Sequence, residues 1–135
     1  MMPSGGSYSS DWLRIAERDL GRAERLLRDP DPDAELAAVC LQHAAEKFLK
    51  AFLLSKGWPW RKIHDVEALL DDAVAYEPSL ERFRRPCEAV AKYYALNRCP
   101  MSASFDMRAA DVLAVLENLR GLFAFVRAAA PPPKS

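Results

Sequence analysis

The chain has 135 residues, half of them apolar, which suits one globular domain with a single core. Lys and Arg total 19 and Asp and Glu total 19, so a net charge of zero gives no reason to expect strong attraction to nucleic acid or an anionic membrane. Residues 1–9 contain no hydrophobic run and no apolar stretch reaches membrane-spanning length without charges, so we expect a cytoplasmic protein with no membrane partner.

The first predicted helix starts after Ser9 and Ser10, which can cap it, and runs to about Arg28. Its apolar residues follow one stripe and its charged residues cover the other side, as in a helix that packs on one face. The Asp- and Pro-rich stretch 29–33 is a tight connection whose aspartates can cap the next helix. So short a link predicts that the first two helices are antiparallel neighbours.

The second predicted helix, residues 36–56, is the segment around which the rest of the chain is organised. Its apolar positions cover more than one face, which predicts several packing partners, and Phe48 and Phe52 are the expected core anchors. Gly57 should end the helix in the left-handed conformation. The polar residues form a single strip along the helix: Gln42, His43, Glu46, Lys47 and Lys50.

The remaining predicted helices are shorter and separated by proline-containing connections. The third begins at His64 or Asp65, after a loop that holds two tryptophans and two cations, and ends near Tyr76. Pro78 begins a fourth segment that Pro86 should break, with a stronger helix over 87–97. After a loop over 97–102, Ser104 can cap the last helix.

The predicted fold is all-α, an antiparallel up-and-down four-helix bundle with an additional short helix. No segment alternates apolar and polar residues over the length of a strand. We expect residues 1–9 to form a disordered N-terminal tail, residues 10–128 a single helical domain, and residues 129–135 a Pro-rich C-terminal tail.

Three motifs, in this order, resemble the HEPN domain family over roughly residues 11–127. They are Ala44-Ala45-Glu46-Lys47-x-x-Lys50-Ala51, then Ile63-His64-Asp65-x-x-x-Leu69-Leu70, then Tyr93-Tyr94-x-x-x-Arg98-x-Pro100. The resemblance implies a helical bundle that forms a homodimer and is often encoded beside a minimal nucleotidyltransferase as its partner, as in toxin–antitoxin systems. It also implies either a nucleotide-binding accessory subunit or a metal-independent ribonuclease.

The ribonuclease members of that family use an arginine followed, after four to six residues, by a histidine. Arg98 matches the arginine, but residues 103–105 are Ala, Ser and Phe, so the histidine is missing. Cleavage needs a base to take the ribose 2′-hydroxyl proton and a fixed cation to hold the phosphate, and Arg98 supplies only the cation. We therefore expect a non-catalytic module that binds nucleotide or RNA phosphate, a nucleotidyltransferase partner, or both.

The candidate ligand-binding residues are Arg98, Lys47, Lys50, His64 and Tyr94. Arginine guanidinium groups bind phosphate through paired hydrogen bonds, and tyrosine rings stack on bases. The stretch 82–98 is the richest in both residue types. Neighbouring glutamates could instead make it an ordinary solvated helix face. His43 and His64 are the only histidines; each could instead be structural, His43 at a helix contact and His64 as a cap or beneath the tryptophan loop.

Two rival functions remain open from the sequence. One is a ribonuclease in which Arg98 acts with a base from another helix, either His43 or His64. The other is an interaction protein whose only role is to dimerise.

We expect neither a metal nor a cofactor. The three cysteines are an odd number without a C-x-x-C pair, and neither histidine has a second ligand at metal-binding spacing. The chain also has no glycine-rich phosphate loop.

Overall fold

The computed structural model describes residues 5–95 and 107–130, with side chains from residue 9 onward. Within these ranges the regular elements are all helical: α1 Gly5–Arg28, α2 Ala34–Ser55, α3 Val66–Tyr76, a 3-10 helix Pro78–Phe83, α4 Arg84–Ala91 and α5 Ala109–Ala129. The prediction of an all-α bundle is confirmed. Among the described helices, none is long and apolar enough to cross a membrane.

Helix α1 runs antiparallel to both α2 and α5. The Ser9 hydroxyl near the start of α1 donates to the carbonyl of Ala51 near the end of α2, with 2.6 Å between the oxygens. Towards α5, Arg127 pairs with Glu17 and Arg120 with Glu24, so residue numbers fall along one helix as they rise along the other. The antiparallel pairing of the first two helices follows from their short connection, as predicted.

Helix α2 lies at the centre of the core. Phe48 and Phe52 are both 0% exposed, and the Phe48 ring stacks on Phe123 of α5 with 4.3 Å between centroids. Solvent reaches the apolar side of α2 near its start, where Leu36 is 49% exposed and Val39 and Cys40 are partly exposed. The expectation that this helix has packing partners on several faces is confirmed by its contacts with α1, α3, α4 and α5.

Local chemistry sets the ends of α2 and the start of α3. The Asp33 carboxylate accepts the N–H of Leu36, and the Asp65 carboxylate accepts the N–H of Glu67, each at 3.0 Å. These caps satisfy backbone donors that have no partner within the helix. After α2, Gly57 adopts a φ of 82°, the left-handed conformation predicted for it.

Two predicted caps are wrong. Helix α1 begins at Gly5, so Ser9 and Ser10 lie inside it and are buried, and the Ser9 hydroxyl bonds to α2 rather than to its own helix. The last helix, α5, begins at Ala109 after the non-helical Met107 and Arg108, so Ser104 cannot be its N-cap. For Ser9, the contact with α2 overrides the local signal.

The fourth segment is divided into two helices, as predicted, but the division does not fall at Pro86. The change from 3-10 to α geometry falls between Phe83 and Arg84, and Pro86 lies in the first turn of α4. Proline is tolerated there because first-turn N–H groups have no partner within the helix. Helix α4 ends at Ala91, short of the predicted Asn97, and residues 96–106 lie outside the described residues.

The connection between α2 and α3 folds back along α2. His64 lies beside Glu46, which is nine residues, or about two and a half turns, before the end of α2 at Ser55. Helix α3 then runs from there towards Trp58, whose indole N–H donates to Asp72 of α3 at 3.0 Å. On this return path the tryptophan loop, residues 57–65, covers part of the polar strip of α2, at Glu46 and Lys50.

Candidate functional site

Three residues of the polar strip of α2, Gln42, Glu46 and Lys50, are buried rather than exposed to solvent. Glu46 and Gln42 are buried, and Lys50 is only 1% exposed. Glu46 Oε1 accepts a hydrogen bond from Gln42 Nε2 at 3.3 Å, and Glu46 Oε2 accepts one from Lys50 Nζ at 2.9 Å. The one-turn spacing of these residues therefore builds an internal network, with every buried polar atom of the described side chains hydrogen-bonded.

Lys50 extends this network into a cluster of tryptophans. Its Nζ lies 5.1 Å from the centre of the Trp12 ring and 5.3 Å from that of Trp60. The two rings stack on each other with 5.4 Å between centroids. The Lys50 ammonium is attracted by the faces of both rings and by the Glu46 carboxylate. Because Trp60 belongs to the tryptophan loop and Trp12 to α1, Lys50 of α2 links the loop to both helices.

The network reaches the surface at His64. His64 Nδ1 lies 3.0 Å from Glu46 Oε2, and the His64 side chain is 42% exposed. His64 thus connects a buried ion pair to solvent. The sequence placed these two residues in separate motifs, and only the folded-back loop brings them together.

A cleft of about 310 Å³ opens next to His64. Its other lining residues are Asp65 and Val66 at the start of α3, Ala91 at the end of α4, and Tyr94. The volume lies at the lower end of the range for small-molecule sites, about 300–1,000 Å³. Two predicted ligand-binding residues, His64 and Tyr94, therefore share one cleft.

The other predicted site residues lie elsewhere. Lys47 is half-buried and pairs with Asp19 of α1, with 2.6 Å between Nζ and Oδ2. His43 is half-buried on α2 and does not line the cleft. Arg98 lies outside the described residues, as do Cys99 and the rest of 96–106.

Part of the basic stretch is neutralised by acidic neighbours. Arg84 donates two hydrogen bonds to Glu81 and makes a 2.6 Å ion pair with Asp71, and its hydrogen bonding to Glu81 is the main reason that the pKa of Arg84 is raised. Tyr93 packs against the core, where burial raises its pKa. Tyr94 is therefore the ring of the tyrosine pair that faces the cleft.

No group of three or more His, Cys, Asp or Glu side chains converges as a metal site within residues 9–95 and 107–130. Both described cysteines are poor nucleophiles: burial raises the pKa of Cys40, and burial raises that of Cys87 to about 12.

Sequence reasoning missed Trp12 and Asp65 as parts of this region. Trp12 looked like one more residue of an apolar stripe, and Asp65 looked only like a helix cap. The pairing of Trp12 with Trp60 depends on the path of the loop, which no local pattern encodes. The motif Ile63-His64-Asp65 did place Asp65 next to His64, and that is the one signal that could have assigned it.

A comparison with protein-family models finds a match to one described as HEPN domain, over residues 9–128. No curated protein and no solved structure matches the chain.

Proposed function

Because this chain belongs to the HEPN domain family, we propose that it is a non-catalytic module that dimerises and binds the phosphate and base of a nucleotide or RNA in the cleft between His64 and Tyr94. Membership in the family supports a ribonuclease, a toxin or a binding module as the function class. A minimal nucleotidyltransferase, in a toxin–antitoxin-like pair, is the protein partner that the family suggests.

The observation that carries the proposal is the shared cleft. Tyr94 offers a ring on which a base can stack, and His64 offers an imidazole beside it. Arg98 follows Tyr94 by four positions in the sequence, and four residues of extended chain span at most about 14 Å. We therefore propose Arg98, which lies outside the described residues, as the residue whose guanidinium pairs with the ligand phosphate.

The ion pairs of Lys47 and Lys50 support a scaffold role for these lysines rather than ligand contacts. Lys50 is enclosed by tryptophans and paired with Glu46, and Lys47 is paired with Asp19. A buried cation that already has a carboxylate would lose that partner to bind a phosphate, and the carboxylate would then stay buried and unpaired. We therefore assign His64, Tyr94 and Arg98 to the ligand, and Lys47 and Lys50 to the scaffold around it.

Binding can be tested by calorimetry with AMP and with a short oligoribonucleotide. We expect Tyr94→Ala and Arg98→Ala each to weaken the affinity at least tenfold. Matched controls are Tyr76→Ala, which removes an exposed tyrosine of α3, and Arg14→Ala, which removes an exposed arginine of α1. No heat with the wild-type protein, or equal losses in the controls, would refute this assignment.

Light scattering of the same sample tests the dimer, and a monomer at micromolar concentration would exclude it.

One observation favours the rival ribonuclease function. The contact of His64 Nδ1 with the buried Glu46 is the arrangement that orients a histidine acting as a general base. Incubation of RNA with the pure protein separates the two functions. Cleavage that is lost in His64→Ala or Arg98→Ala, and kept in His43→Ala, would establish a ribonuclease and overturn the non-catalytic proposal.

A further inference from the structure

The contact between His64 and Glu46 determines which imidazole nitrogen carries the proton when the ring is neutral. An ionised carboxylate only accepts hydrogen bonds. Glu46 Oε2 lies 2.9 Å from Lys50 Nζ, whose charge balances that of the carboxylate, and 3.0 Å from His64 Nδ1. His64 Nδ1 must therefore carry the proton in this contact.

The loop around His64 is fixed from two sides, so the contact with Glu46 does not depend on one hydrogen bond alone. On one side, Trp60 stacks on Trp12 and both rings contact Lys50 Nζ. On the other side, the Trp58 indole N–H and the Arg61 guanidinium both donate to Asp72 of α3, at 3.0 and 2.7 Å.

We propose that Glu46 and Lys50 are positioning residues that hold neutral His64 as the tautomer protonated on Nδ1. Nε2 is then the nitrogen available to the cleft. It accepts a hydrogen bond from a ligand hydroxyl while the imidazole is neutral, and donates one to a phosphate oxygen when it is protonated. A ribonucleotide carries both groups, so its ribose and phosphate are the ligand chemistry that this arrangement fits. That identity rests on the proposed function, whereas the tautomer does not.

The charged and titratable groups around His64 come from three elements. Glu46 and Lys50 face it from α2, and Asp65 and Tyr94 line the cleft beside it, from the N-cap of α3 and from the segment after α4. Asp65 is already used to cap α3 through Glu67 N–H. Among the described residues, Glu46 is thus the one whose carboxylate contacts the His64 imidazole.

The tautomer can be measured by ¹⁵N NMR of the histidine side chains. The His43→Gln variant leaves His64 as the sole histidine, which assigns its signals without ambiguity. At a pH where its nitrogen shifts show a neutral ring, we expect a protonated Nδ1 and a bare Nε2. Free histidine in water favours the opposite tautomer, so a protonated Nε2 would overturn the proposal.

A double variant tests whether Glu46 and Lys50 cause this preference. In the His43→Gln background, Glu46→Leu with Lys50→Met removes both charges together and leaves neither buried and unpaired, a replacement that folded proteins commonly tolerate. We expect the tautomer to revert to protonation on Nε2. The matched control, Asp19→Asn with Lys47→Met, removes an ion pair between α1 and α2 that does not contact His64, and should leave the tautomer of His64 unchanged.

Reversion in both double variants, or in neither, would overturn the proposal. If the first variant does not fold, the tautomer in the His43→Gln protein alone decides it. Adding AMP to the same His43→Gln sample separates this inference from the proposed function. A protonated Nδ1 with no response of His64 to AMP would keep the tautomer inference and refute ribonucleotide binding in the cleft.

Discussion

Truncation of Phe48 tests whether α2 is the centre of the core. Phe48 is 0% exposed and stacks on Phe123, and the Arg127 guanidinium lies 5.5 Å from its ring centre. Phe48→Ala removes a fully buried ring, which costs about 3 to 5 kcal/mol through lost transfer free energy and the cavity left behind. An aromatic pair is worth a further 0.5 to 1.5 kcal/mol or so beyond its buried area, so we expect the upper half of that range.

The assay is urea unfolding followed by circular dichroism, because the slope of the transition also reports any change in exposed surface. A loss of about 4 kcal/mol is a large part of the 5 to 15 kcal/mol or so that stabilises a typical domain. The matched control is Leu36→Ala, on the same helix but 49% exposed, for which we expect a loss within about 0.5 kcal/mol. A loss below about 1 kcal/mol for Phe48→Ala, or equal losses for both variants, would refute the central position of α2.

Three further predictions follow from the buried ion pair, a helix cap and a thiol. Lys50→Met alone leaves the Glu46 carboxylate buried without its cation, and should lower the free energy of unfolding in urea by about 3 to 5 kcal/mol. Glu46→Leu with Lys50→Met removes both charges and should lower it much less. Equal losses would mean that the unpaired charge is not the cause of the destabilisation. Asp33→Ala removes the carboxylate that accepts Leu36 N–H and should cost about 1 kcal/mol by thermal unfolding, and no loss would contradict its role as the N-cap. Burial raises the pKa of Cys87 to about 12, so iodoacetamide at mildly alkaline pH should alkylate Cys87 only after the protein unfolds. Mass spectrometry measures the alkylation, and rapid alkylation of Cys87 in the folded protein would contradict its burial.

The parts of the fold that depend on local chemistry could be predicted from the sequence. Asp33 caps α2 because its side chain reaches the next free N–H, and Gly57 ends α2 because only glycine adopts a positive φ without strain. Phe48 and Phe52 lie on the apolar faces that the periodicity identifies. None of these depends on where a distant segment goes.

The misplaced features depend on tertiary packing. Ser9 looked like a cap because its hydroxyl suits one, yet that hydroxyl bonds to Ala51, forty-two residues away. Lys50 was predicted as a ligand-binding cation of the polar strip, and it is buried because the tryptophan loop returns along α2. A pattern along one helix contains no information about which loop will cover it.

The candidate site shows the same division. The motifs brought His64 and Tyr94 forward as candidates, and the fold places both at one cleft. The contact of His64 with Glu46 joins residues eighteen positions apart and needs the path of the loop to be known. The role of Arg98 in ligand binding stays a prediction, since Arg98 lies outside the described residues, and for Lys47 and Lys50 we propose a scaffold role instead.

The measurement that tests the central claim most directly is an NMR titration of the ¹⁵N-labelled protein with AMP. Ligand binding in the cleft predicts amide shift changes concentrated at residues 64–66 and 91–94, with little change along the face of α5 that carries Leu113. Saturating AMP that leaves the cleft residues unchanged, or shifts only residues far from it, would contradict the account.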